Sequence, residues 1–62
     1  RVTVKGSSSD RTNVYELPNK ASQVVAKVPG GLDFKVIKEH AKFYEIQLRG
    51  NKVGFLAKSD AK

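Results

Sequence analysis

"FYEIQLRGNKVGFL" occupies residues 43–56, and its spacing decides the fold. Tyr44, Ile46 and Leu48 alternate with Phe43, Glu45 and Gln47. A period of two belongs to a strand with one face on a core, so the first set is expected inside and Phe43 outside with the charged set. Gly50-Asn51 then interrupts the pattern before Val53 resumes it. Glycine as the first central residue fits a type II′ hairpin turn and predicts positive φ at Gly50. Beyond the hairpin, residues 56–61 are too few for a partnered strand, and their small and charged side chains suit one closing turn of 3₁₀ helix.

Working upstream, Leu32, Phe34 and Val36 alternate with Asp33, Lys35 and Ile37, which predicts a strand running to about Glu39, with His40-Ala41-Lys42 as the turn after it. Residues 21–28 fit two periods. Ala21, Val24, Val25 and Val28 share a helical face, while Val24, Ala26 and Val28 share a strand face. Three β-branched valines and the early stop at Pro29-Gly30-Gly31 favour the strand. Thr12, Val14 and Tyr15 predict another strand before the turn chemistry of Leu17-Pro18-Asn19-Lys20. Val2 and Val4 mark a first strand, followed by the polar loop Gly6-Ser7-Ser8-Ser9-Asp10. Five or six short strands with no long helix imply an all-β domain, a small antiparallel β-barrel whose closure removes exposed edges.

The chain has 62 residues, enough for one domain with one thin core. It has no cysteine, so packing alone must hold it together. It has no methionine and starts in the alternation Arg-Val-Thr-Val, which leads to the expectation of a fragment from a larger protein. No apolar run approaches the roughly 20 residues that span a bilayer. Twelve Lys and Arg against six Asp and Glu give a net charge of +6. That charge attracts polyanions, yet the lysines are spread along the whole chain with no run of adjacent cations.

From Asn13 to Leu56 the segments "NVYELP", "QVVAKVPGGLDFKVI", "FYEIQL" and "GFL" stand in an order and spacing that resemble a bacterial Src-homology-3 (SH3-like) domain. Phe43 and Phe55 stand where such domains commonly carry tryptophan, Tyr15 where they carry arginine, and Leu17 where they carry glycine. The resemblance implies an SH3-like barrel over residues 1–62, acting as a non-catalytic targeting or recognition module of the bacterial cell envelope or of a secreted protein. Its implied ligand is a cell-wall peptide, a protein segment or another domain of the parent protein. The implied groove lies between the long loop after the first strand and the turn before the aromatic strand. That places Tyr15, Phe43 and Phe55 along it, with Asp10, Glu16 and His40 near its edges.

The residues themselves offer no enzyme constellation. His40 is the single histidine, and with no cysteine it lacks the companions a metal site needs, so neither metal nor other cofactor is expected. Ser7, Ser8 and Ser9 beside Asp10 have no positioned base and read as loop composition. Gly30-Gly31 lacks the lysine spacing of a phosphate loop. Two other readings stay open: a basic barrel that binds nucleic acid or another anionic polymer through lysines and stacked aromatics, and a structural spacer or docking domain.

Overall fold

Seven short strands follow one another in the computed structural model, which describes residues 1–62: β1 (Val2–Thr3), β2 (Arg11–Tyr15), β3 (Val24–Pro29), β4 (Asp33–Phe34), β5 (Val36–Glu39), β6 (Phe43–Gln47) and β7 (Val53–Ala57). Two 3₁₀ turns, Arg49–Asn51 and Lys58–Asp60, complete the elements. The valine-rich segment is the strand β3, as its β-branching predicts. No helix is long and apolar enough to cross a membrane.

The fold is all-β and antiparallel, and it is open where a closed barrel was expected. Five strands form one sheet in the order β3-β2-β7-β6-β5, and β1 with β4 forms a second sheet of two. The stretch expected as one strand over residues 32–39 divides between them. Asp33 and Phe34 pair with Thr3 and Val2, whereas Val36 pairs with Ile46. The chain turns the corner at Lys35, whose carbonyl accepts a hydrogen bond from the Gln47 amide at 3.0 Å. A strand that switches sheets in this way joins two layers without a long loop.

Val4, Val14, Val28, Ile46 and Leu56 form the core between the layers, with Val2, Ala26, Phe34, Tyr44, Leu48 and Ala61 packed around them. Each such buried aliphatic side chain contributes about 1.5–3 kcal/mol relative to exposure. Ile46 is buried as the alternation requires, with Tyr44 and Leu48 partly buried on the same face. Leu56 and Ala57, expected in the closing turn, instead pair as strand residues with Tyr44 and Phe43, and the 3₁₀ turn is confined to Lys58–Asp60.

Gly50 has φ 70° as expected, but its ψ is 33° and Asn51 also has positive φ, at 63°. Two consecutive left-handed residues belong to the type I′ region rather than type II′. The Leu48 amide donates to the Lys52 carbonyl at 2.7 Å and closes the turn.

Both ends of the described chain meet on the small sheet. Val4 bridges Ala61, the Lys5 amide donates to the Asp60 carbonyl at 2.8 Å, and the Lys62 amide donates to the Thr3 carbonyl at 2.8 Å.

Candidate binding groove

The outer face of the large sheet carries an aromatic row. Tyr15 on β2 pairs with Phe55 on β7, and Phe55 pairs with Glu45 on β6. These positions alternate with the inward Val14 and Leu56, so their side chains share the face away from the core. One step along β7, Ala57 stands opposite Phe43.

Phe43 corrects an expectation. It lies on the strand face opposite Ile46, as the alternation requires, but it is only 6% exposed. The reason lies in its neighbour: Tyr15 meets its ring edge-on with centroids 6.1 Å apart, while the turn at residues 18–20 faces it across the groove. An outer sheet face is fully solvated only when no neighbouring ring or loop borders it, and here Tyr15 and the loop at residues 16–23 do. That loop is stitched at its base, where the Glu16 amide donates to the Gln23 carbonyl at 2.8 Å. Within it, the Ser22 hydroxyl lies within hydrogen-bond distance of the Leu17 and Asn19 carbonyls at 3.2 and 3.0 Å. Proline and asparagine favour the turn, and the serine holds it.

Between that loop and the turn at residues 40–42 runs a cleft of about 890 Å³, floored by Phe43 and Ala57 and bordered by Lys58. The second wall is also built from the backbone upward. The His40 amide donates to the Phe43 carbonyl at 2.8 Å, which closes the turn. The His40 ring rests edge-on against Phe55 with centroids 5.0 Å apart, and its Nε2 lies 3.1 Å from Glu45 Oε1. Imidazole, carboxylate and phenyl ring thus hold one another, fixing the wall.

Of the six residues that the sequence and the resemblance single out, Tyr15, Phe43, Phe55 and His40 come together on this face, with Phe43 and His40 lining the cleft itself. Asp10 does not join them. It lies at the opposite end of β2 from Tyr15, and its carboxylate accepts from the Ser7 amide at 3.0 Å, which ties up its own loop. That loop, expected as a groove wall, instead packs against Gly30, where a methyl group would stand 2.5 Å from the Gly6 carbonyl carbon and the Ser7 carbonyl oxygen. Glu16 also lies elsewhere, in a smaller hollow of about 490 Å³ with Val25, Lys52 and Val53.

The wall residues Pro18, Lys20 and Lys42 and the floor residue Ala57 carry no such expectation from sequence. Pro18-Asn19 is legible as a turn, but nothing in its spacing says that it lines a cleft with the start of β6.

No protein-family model and no curated protein matches this chain.

Proposed function

We propose that this chain is a non-enzymatic SH3-like binding module that seats an extended peptide or protein segment in the cleft between the turns at residues 18–20 and 40–42. The observation that carries the reading is the cleft itself: about 890 Å³, with an apolar floor and two walls held by internal hydrogen bonds. A preformed concave site loses little entropy on binding, and a few polar groups at its rim orient the occupant. The resemblance to bacterial SH3-like domains favours an envelope or secreted setting and a wall peptide or a neighbouring domain as the occupant.

Titration of isotope-labelled protein with wall stem peptides and with segments of the parent protein tests this reading. Amide signals of Asn19, Lys42, Phe43 and Ala57 should move first. Movement confined to the Glu16 and Val53 hollow, or none with any peptide, overturns it.

The net charge of +6 favours a second reading, an anionic polymer held across the whole surface. Binding of that kind releases counterions and weakens steeply between about 50 and 200 mM salt, whereas a peptide in one groove depends on salt only shallowly.

A further inference from the structure

The groove carries a charge pattern that its apolar floor does not explain. Lys20 stands on one wall and Lys42 on the other, both exposed and neither paired with a carboxylate. The third cation is engaged: Lys58 Nζ lies 2.5 Å from Glu39 Oε2 and 5.3 Å from the centre of the Tyr44 ring. No carboxylate lines the cleft. Glu45, the acid behind the His40 wall, is taken by His40. Asp10 and Asp33 are occupied by Ser7 and Thr3 in other parts of the fold.

We propose that the groove selects an acidic peptide segment, with carboxylates meeting Lys20 and Lys42 and an apolar side chain between them resting on Phe43 and Ala57. This rests on the reading of the cleft as a peptide site and adds the class of peptide. Complementary charge at the two rims steers encounter and sets the register of the segment, while a basic segment meets repulsion from both walls.

A nucleic acid fits the same observations less well. Arginine forks grip phosphates, and no arginine lines the cleft. Arg11 is spent on the Ser8 and Asp10 carbonyls, and Arg49 sits in the hairpin turn.

The test uses two octapeptides titrated into isotope-labelled protein, one alternating glutamate with leucine and the other its glutamine counterpart, with oligo-dT as a third probe. The glutamate peptide should shift the amides of Asn19, Lys20, Lys42 and Phe43 and bind about tenfold more tightly than the glutamine peptide at low salt. The double variant Lys20→Glu, Lys42→Glu changes only exposed side chains; with its spectrum otherwise intact, it should lose that preference. Equal binding of both peptides in the groove overturns the acid selection and leaves the peptide reading standing. Groove signals unmoved by either peptide overturn both. Tighter binding of oligo-dT at the same amides overturns the choice of peptide in favour of nucleic acid.

Discussion

Tyr15 and Phe43 meet edge to plane with ring centres 6.1 Å apart and an interplanar angle of 87°, although β7 lies between the strands that carry them. The contact bridges over that strand, and it is why the floor of the groove is also a load on stability. Ala57, directly opposite Phe43 on β7 and 2% exposed, is small enough to leave the rings room.

Truncation of Phe43 should therefore be costly. Phe43→Ala should destabilise the protein by about 3–5 kcal/mol in chemical denaturation, in the range of Ile46→Ala at about 2–5 kcal/mol. A loss below about 1 kcal/mol would mean that the ring is a surface residue. In a double-mutant cycle with Tyr15→Leu, the pair should show a coupling of about 0.5–1.5 kcal/mol.

A larger residue at position 57 should crowd the same contact. Ala57→Leu is expected to cost about 1–3 kcal/mol, because a well-packed site takes added methylenes only through strained rotamers or backbone shifts. Wild-type stability with unchanged Tyr15 and Phe43 ring signals would show that the added methylenes turn into the cleft and clear the two rings.

The hairpin and the close backbone approach at Gly30 separate two kinds of glycine requirement. Nothing lies within 4 Å of a Cβ on Gly50, so Gly50→Val acts through its φ of 70° alone. The strain should cost about 1 kcal/mol or more, read as a lower melting temperature. Gly30→Ala instead drives a methyl into the backbone of Gly6 and Ser7. It should cost more than Gly50→Ala, since two backbone segments must part; the reverse order would count against the packing of the loop at residues 6–10.

Asp10→Ala should loosen that loop and leave the groove alone. Amide exchange at Ser7 should quicken as the carboxylate acceptor is lost, while the signals of Lys42 and Phe43 stay in place. Coupled movement at Phe43 would return Asp10 to the neighbourhood of the groove.

Alternation was enough to find β6, the hairpin after it and the inward set Tyr44, Ile46 and Leu48, because a two-residue period and a glycine turn are local properties; the end of β7, at Leu56 and Ala57, was taken for a closing turn because its partners lie on β6. The strand at residues 24–29 was legible for the same reason, through the stiffness of its valines. The division of residues 32–39 was not. Phe34 and Val36 look alike in sequence, and only their partners, Val2 and Ile46, assign them to different sheets. The burial of Phe43 was hidden for a similar reason: the ring that packs against it is Tyr15 on β2, more than 20 positions away in the chain. The resemblance to SH3-like domains implied that three aromatics and a histidine come near one another, but the lysine walls depend on how two turns lean, which no local pattern records.

The pairing of Val4 with Ala61 and of the Lys62 amide with the Thr3 carbonyl has a topological consequence. A chain whose head and tail lie side by side can be spliced into an exposed bend of a host protein without prying the host apart. It can also be rewired: a short glycine linker from Lys62 to Arg1 closes a ring, and that ring can be reopened between Gly50 and Asn51, where no side chain is buried. The permuted protein would begin with β7 and end with β6, turning the tightest local connection of the molecule into its longest-range one while every layer keeps its neighbours.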